Sequence, residues 1–152
     1  MYEVKFINSM DELLEATQII SLLKDQMEYI GSPKTNVQLL KTIQLAMKNE
    51  NSHLLVISEN SHVIGFAFFN VSIGMESSGK YLWLNEMHIH KNYRGKGYGK
   101  NLFAEIIKWC KMNEVVRIMG MADESEERTK NFYIQQGAEI YTQDIISFNI
   151  KK

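Results

Sequence analysis

Between positions 81 and 112 a strand, a glycine-rich loop and a helix follow one another, and this order restricts the possible folds most. The apolar run 81–89 predicts a buried strand, and an apolar stripe over 100–112 predicts an amphipathic helix. The loop between them has glycine at 95, 97 and 99, and the loop together with the first helical residue, Lys100, carries four positive charges. Glycine lets backbone N–H groups turn inward, and a helix start adds unpaired N–H groups and a positive dipole end. The segment is therefore suited to binding phosphate.

The spacing of the loop residues distinguishes between known phosphate-binding motifs. The dinucleotide fingerprint G-x-G-x-x-G is not matched, and the P-loop requires Ser or Thr after its lysine, whereas Asn101 follows Lys100. The spacing that fits is Arg94-x-x-Gly97-x-Gly99, after a strand and before a helix. This form resembles motif A of the GNAT superfamily of N-acetyltransferases, which holds the pyrophosphate of acetyl-CoA.

A second motif lies near the carboxyl end. Many members of that family have N-x-x-A-x-x-F-Y-x-x-x-G-F across their last helix. Phe132, Tyr133 and Gly137 match this motif. Three positions depart from it, namely Glu126, Thr129 and Ala138, which replace Asn, Ala and Phe. The change to Glu126 puts in doubt a cofactor hydrogen bond that the Asn side chain makes in relatives.

Hydrophobic periodicity and turn signals predict a single domain over 1–152. The predicted strands are 2–7, 53–58, 62–72, 81–89, 115–121, 138–142 and 145–150, the last two forming a closing hairpin. The predicted helices are one from the Ser9–Glu12 capping box to Gly31, and then 36–48, 100–112 and 123–136. We expect an α/β (α+β) fold: a single mixed, mostly antiparallel sheet of about seven strands with a central parallel β-α-β crossover and about four helices. The resemblance implies the same order of elements.

Composition limits the partners and the compartment. A net charge of −1 and a pI near 6.4 give no general attraction to nucleic acid or to an anionic membrane. No apolar run approaches the ~18 residues of a membrane span, and no secretory signal pattern is present. The single Cys110 excludes an internal disulfide. We therefore expect a cytoplasmic protein without nucleic-acid or membrane partners.

The resemblance implies acetyl-CoA as the cofactor. Arg94 and the loop N–H groups would face its pyrophosphate, with Gly99 and Lys100 at the helix start. The backbone of Met87 and Ile89 would pair with the pantetheine arm as an added strand would. The predicted cofactor-binding residues are Met87, His88, Ile89, Arg94, Gly95, Lys96, Gly97, Tyr98, Gly99 and Lys100.

The resemblance also assigns the proton transfers. Tyr133 is the expected general acid for the leaving thiolate, and Glu86 is the expected base for a primary amine. His88 and His90 lie two apart and are alternative bases, although we expect both to be exposed histidines. No third ligand accompanies them at a telling spacing, so no metal is predicted.

The sequence does not determine the substrates, whether the protein is catalytic, or the oligomeric state. The acceptor is a small-molecule or peptide amine, and the acyl group transferred is not determined by the residues. A non-catalytic acyl-CoA-binding sensor is the alternative function. The oligomeric state is also undetermined, with a homodimer through sheet edges or the closing hairpin as one arrangement.

Overall fold

The computed structural model describes residues 1–15 and 17–150. The strands in this part of the chain are β1 (Tyr2–Ile7), β2 (Ser52–Glu59), β3 (His62–Gly74), β4 (Gly79–Ile89) and β5 (Val115–Gly120). They form one sheet in the order β1-β2-β3-β4-β5. The first four strands pair antiparallel, and β5 is parallel to β4. The expected mixed sheet with a parallel crossover is confirmed.

The helices in the described residues are α1 (Met10–Glu15), α2 (Gln18–Tyr29), α3 (Asn36–Met47), α4 (Tyr98–Met112) and α5 (Glu127–Gln135), with a short 3-10 turn at Lys91–Tyr93. The single helix expected from Ser9 to Gly31 is two helices, and Ala16, which the prediction included, lies outside the described residues. Ser9 caps α1 as expected, since its Oγ accepts from the Glu12 N–H at 3.3 Å. A complete capping box, Thr35 with Gln38, begins α3.

The sheet carries a separate apolar layer on each face. On one face, side chains of α1, α2 and α3 pack against alternate residues of β2 and β3, including Val56 and Phe66. On the other face, the stripe of α4 buries Leu102, Ile106 and Cys110. Trp109 of the same helix lies against Phe69, with ring centroids 5.2 Å apart. Cys110 is therefore a buried core residue, and burial raises its pKa to about 11.

The predicted closing hairpin is wrong. No strand is present in residues 138–150, and the apolar side chains of this segment are exposed, with Phe148 82% and Ile150 89% accessible. An isolated two-stranded hairpin is marginal at best, because it needs a further partner against which to bury an apolar face. The Gln143-Asp144 pair also lacks the glycine that the tightest hairpin turns favour. The described sheet consequently has five strands and not about seven.

The chain divides into two compact units, one over Met1–Met121 and a second that begins at Ala122. The first unit contains the sheet and α1 to α4, and the second contains α5. In the described part of the chain, every helix is too short or too polar to cross a membrane.

Candidate functional site

The central feature of the site is that the two halves of β4 have different neighbours. Residues 80–84 pair with β5 on one side and with β3 on the other, and the β5 pairing ends at Leu84 and Gly120. The pairing with β3 continues to Ile89. In the part of the chain that the structure describes, the second half of β4 is therefore bonded to a strand along one edge only.

A bulge at Asn85 separates these halves. Leu84 lies opposite Phe69 and Glu86 opposite Phe68, so Asn85 is the additional residue. The Asn70 side-chain amide donates to Asn85 Oδ1 at 2.8 Å and fixes this position. Because consecutive residues of β3 point to opposite faces, the bulge moves Glu86 to the face covered by α2 and α3.

The hydrogen-bond pattern identifies the backbone groups along the open edge of β4. The His90 N–H donates to the Ile64 carbonyl at 2.8 Å. In an antiparallel ladder every second pair exchanges such bonds, so Met87 and Ile89 direct their N–H and C=O groups away from β3. The Arg94 Nε–H donates to the Ile89 carbonyl at 2.8 Å, which agrees with this direction. An extended ligand could add to this edge through Met87 and the Ile89 N–H.

The side chain of Glu86 lines an apolar groove of about 160 Å³ between α2, α3 and the sheet. The residues that line this groove are Leu23, Met27, Lys34, Gln38, Leu39, Thr42, Ile43, Ala46, Met47, Leu54, Phe68 and Glu86. We call this set the apolar groove. Among the described lining residues, the only carboxyl group belongs to Glu86, and the only cationic side chain is that of exposed Lys34.

The environment of Glu86 makes its ionised form costly. Burial raises the pKa of its carboxyl group above the usual range for glutamate. Within residues 1–15 and 17–150, no side chain or backbone N–H is hydrogen-bonded or ion-paired to it, and the Lys34 Nζ donates instead to Ser32 Oγ at 2.7 Å. A half-buried carboxylate of this kind can bind a cation or accept a proton.

His88 is buried, not exposed as the sequence suggested. It is 8% accessible, because the bulge turns it, like Glu86, to the face covered by α2 and α3. Its ring lies against Phe66, with centroids 6.1 Å apart. Burial, and secondarily the charge of Arg94, lowers its pKa to about 4. The neutral ring lies with Nδ1 3.5 Å from Arg94 Nη2, so His88 helps to hold that guanidinium.

His90 has a different structural role from His88. It follows the end of β4, and its Nδ1 accepts from the Asn92 N–H at 3.1 Å. This contact caps the 3-10 turn that leads into the glycine-rich segment. His90 is therefore part of the turn, and His88 part of the packed face.

Residues 94–100, which we call the glycine loop, present backbone to the surroundings. Gly95 and Gly97 have φ of +74° and +87°, and no atom lies within 4 Å of where a Cβ would stand on either. Gly97 is the N-cap of α4, and the Asn101 N–H donates to its carbonyl at 3.0 Å as the first helical bond. The N–H groups of the first turn precede that bond and have no helical acceptor. Open space, unpaired N–H groups and a positive helix end together fit a diphosphate.

The charged and aromatic side chains of the loop have separate contacts. Arg94 is directed to Ile89 and His88, while the Lys96 ammonium lies 5.6 Å over the Tyr93 ring. Tyr98 packs edge-on against Tyr2 and Tyr93. Burial, and a hydrogen bond to Glu59, raise the pKa of Tyr98. These aromatic contacts fix the start of α4 against the first strand.

Tyr133 belongs to the second unit, whereas the other predicted site residues lie along 86–100 in the first. Burial raises the pKa of Tyr133 to about 12, so its phenol is protonated at neutral pH. Its carbonyl accepts from the Ala138 N–H at 3.0 Å, and the Gly137 N–H donates to Ile134 at 2.9 Å. With φ of +96° at Gly137, these bonds form a Schellman motif at the end of α5.

Sequence reasoning identified Glu86 but not the apolar groove around it. The stripe of Leu39, Ile43 and Met47 on α3 was visible as a helical repeat. Such a stripe has the same pattern whether it covers a core or borders a groove, so no sequence signal separated the two.

Comparisons with known proteins agree with this geometry. The model of the acetyltransferase (GNAT) family matches residues 16–138. A search of curated proteins found no match. Among solved structures, a possible acetyltransferase from Clostridium difficile 630 has a TM-score of 0.83 at 17% identity, covering 100% of this chain and 99% of that chain.

Two further solved structures have assigned acceptors in their names. The ribosomal-protein-alanine N-acetyltransferase of Brucella melitensis biovar Abortus 2308 has a TM-score of 0.78 at 15% identity, covering 98% and 100% of the two chains. An aminoglycoside acetyltransferase from an uncultured soil metagenomic sample, in complex with sisomicin, has a TM-score of 0.77 at 13% identity, covering 99% and 97%.

A transcriptional regulator from Bacillus halodurans C-125 has the same fold, with a TM-score of 0.83 at 18% identity and coverage of 98% and 100%. At these identities the structures show the fold alone. The family match spans most of the chain and includes the glycine loop. The chain belongs to the GNAT family of acetyltransferases, which use acetyl-CoA as the acyl donor.

Proposed function

We propose that this protein is an N-acetyltransferase that moves an acetyl group from acetyl-CoA to a primary amine, by direct attack in a ternary complex. The observation that carries the proposal is the carboxyl group of Glu86, which has no partner in the described residues and lies on the half of β4 that β5 leaves open. A proton acceptor thus lies on the strand whose edge could hold an extended acyl donor. This strand leads through the short 3-10 turn at Lys91–Tyr93 into the glycine loop.

The donor would be held mainly by backbone groups. The N–H groups of the glycine loop and the first turn of α4 would bind the diphosphate, with Lys96 and Lys100 adding positive charge. Met87 and Ile89 would pair with the pantetheine arm along the open edge of β4. When bound, acetyl-CoA supplies the thioester that the amine attacks.

Glu86 would act on the acceptor. A primary alkyl amine has a pKa of ~10.4 and is protonated at neutral pH, so it must lose a proton before it can attack. The Glu86 carboxylate attracts the ammonium ion and, because burial raises its pKa, is a stronger base than an exposed glutamate. Both properties come from the same apolar surroundings.

Tyr133 would protonate the departing thiolate. Its phenol remains protonated at neutral pH, as a general acid must before transfer. We expect Tyr133→Phe to lower kcat by roughly 10²-fold or more with little change in the affinity for CoA, measured by steady-state kinetics and calorimetry. An unchanged kcat would remove Tyr133 from the mechanism.

The family acts on small-molecule or peptide amines, and both kinds occur among the similar structures. The test of the proposal is therefore thiol release from acetyl-CoA with a panel of primary amines, together with calorimetry of CoA binding. We expect amine-dependent turnover and CoA binding, both abolished by Gly97→Glu. Absence of CoA binding to the native protein would overturn the assignment.

A non-catalytic acyl-CoA-binding regulator is the second candidate. Two observations favour it: Glu126 stands where the family motif has Asn, and a transcriptional regulator shares the fold. Tight CoA binding without turnover across the whole amine panel would support this alternative. Turnover with any amine of the panel at a rate above the uncatalysed reaction would exclude it.

A further inference from the structure

The apolar groove combines one negative charge with an apolar lining. Several of its side chains, among them Leu39, Ile43 and Leu54, are at least nine-tenths buried. Glu86 is the only carboxyl group among the lining residues, and in the described chain it has no hydrogen-bonding partner of its own. A ligand that matches the groove has a single cationic group and an otherwise apolar body.

The volume of the groove sets the size of that body. A cavity of about 150 Å³ with an apolar lining accommodates one benzene molecule. The apolar groove, at about 160 Å³, therefore accommodates an arm of about six carbon atoms. Larger ligands would extend past the polar border formed by Gln38 and Thr42, which are exposed.

A second positive charge on the ligand would be unfavourable. Among the described residues, no further carboxyl group lines the groove, and Lys34 on its border would repel a cation. Burying an unpaired ammonium group among apolar side chains costs free energy that the contacts do not return. The groove therefore discriminates against diamines and polyamines of the same length.

We propose that the acceptor is a primary amine with a single charge and an apolar arm of about six carbon atoms, with its ammonium group at Glu86 and its arm in the apolar groove. This inference rests on the acetyltransferase function proposed above, because that function requires the amine to lie beside the open half of β4. Glu86 belongs to that half and to the groove, so one side chain connects the reacting nitrogen with the pocket for the arm.

The direct test is calorimetric binding of simple amines to the full chain: butylamine, hexylamine, octylamine and 1,6-diaminohexane. Each methylene group that enters the groove should increase affinity roughly three- to fourfold, so hexylamine should bind roughly tenfold more tightly than butylamine. Octylamine should gain little more, and 1,6-diaminohexane should bind at least roughly thirtyfold more weakly than hexylamine. An affinity independent of chain length, or tighter binding of the diamine, would overturn the proposal.

Variants connect the binding to the groove. Ala46→Leu fills the groove and should lower hexylamine affinity by roughly tenfold or more, whereas Ala104→Leu makes the same change on the exposed side of α4 and should leave it unaltered. Glu86→Gln keeps the shape of the side chain and removes its charge, so it should weaken hexylamine binding by at least roughly tenfold. This variant tests the proposal independently if Ala46→Leu disturbs folding. Equal affinities of Glu86→Gln and the native protein would contradict the proposal.

Turnover separates this inference from the proposed function. If hexylamine binds in the groove but no thiol is released from acetyl-CoA, the enzyme proposal fails and the ligand assignment stands. If thiol is released faster with 1,6-diaminohexane than with hexylamine, the enzyme proposal stands and the groove inference fails. Faster release with hexylamine supports both.

Discussion

The glycine loop and the apolar groove belong to the same unit and are built in opposite ways. The loop presents backbone groups, and the space around Gly95 and Gly97 is open. The groove consists of side chains, and its chemistry depends on the one carboxyl group of Glu86. A surface made of backbone is sensitive to φ and to bulk at a few glycines, whereas a surface made of side chains is sensitive to volume and charge. Substitutions should therefore separate the two regions cleanly.

The largest effect is expected at Gly97. Its φ of +87° strains any residue with a Cβ, and a glutamate there would also repel a diphosphate. We expect Gly97→Glu to weaken CoA binding by at least about 100-fold, or about 2.7 kcal/mol, measured by calorimetry.

Gly31 provides a matched control for the strain. It follows α2 with φ of +78°, and its Cβ position is also open. Gly31→Ala and Gly97→Ala should each lower the stability by roughly 1–2 kcal/mol, but only the change at Gly97 should weaken CoA binding. Equal CoA affinities of the two alanine variants would show that the loop does not hold the nucleotide.

The corresponding change in the groove is Glu86→Gln. We expect kcat/KM for the amine to fall by roughly 10²-fold or more, while the affinity for CoA stays within about twofold because the loop is unchanged. Since burial raises the pKa of Glu86, an ionised carboxylate is unfavourable in the fold, and the variant should unfold at the same or a higher urea concentration near pH 7. A loss of stability together with activity would instead indicate a structural role.

The pH profile sharpens this test. The base form of Glu86 is lost when its carboxyl group binds a proton, and its raised pKa moves that loss to a higher pH than for an exposed glutamate. We expect kcat/KM of the native enzyme to fall with decreasing pH through a midpoint above about 4.3, the ordinary glutamate value. The Glu86→Gln variant should lack this acid limb, and its persistence would assign the titration to another group.

The sequence predicts those features of the fold and site that depend on neighbouring residues, and not those that depend on contacts between residues distant in the chain. The strand, glycine loop and α4 were predictable because their signals are local: apolar alternation, positive-φ glycines and a helical stripe. The burial of His88 was not, because strict alternation gives no sign of the additional residue at Asn85. That residue is held by a contact from Asn70 on a neighbouring strand.

The failed hairpin at 138–150 has the same kind of cause. Its residues alternate as a strand should, but alternation does not supply the partner that a strand needs. Glu86 was identified by its position relative to the loop, whereas the groove around it requires α2, α3 and three strands of the sheet, which come from distant parts of the chain. Local motifs thus predicted the glycine loop better than the apolar groove.

His88 lies on the covered face of β4 and should affect stability. Burial lowers its pKa to about 4, so between pH 6.5 and 4 the unfolded chain binds a proton that the folded protein does not. The stability from the neutral ring is therefore complete above about pH 6.5 and is lost as the pH falls toward 4, by about 3 kcal/mol. We expect urea unfolding at several pH values to show that the free energy of unfolding of the native protein decreases, relative to that of His88→Gln, as the pH falls. If the free energies of unfolding of the two proteins had the same pH dependence, the lowered pKa of His88 would be contradicted.

The smallest effect is expected from a side chain of the glycine loop. The ammonium group of Lys96 is exposed and lies over the Tyr93 ring, so its contribution to binding a diphosphate is screened by solvent. We expect Lys96→Ala to weaken CoA binding by only about fivefold, or about 1 kcal/mol, with a smaller difference at high salt. A loss as large as that of Gly97→Glu would mean that the loop binds through its side chains, and the contrast between the two regions would disappear.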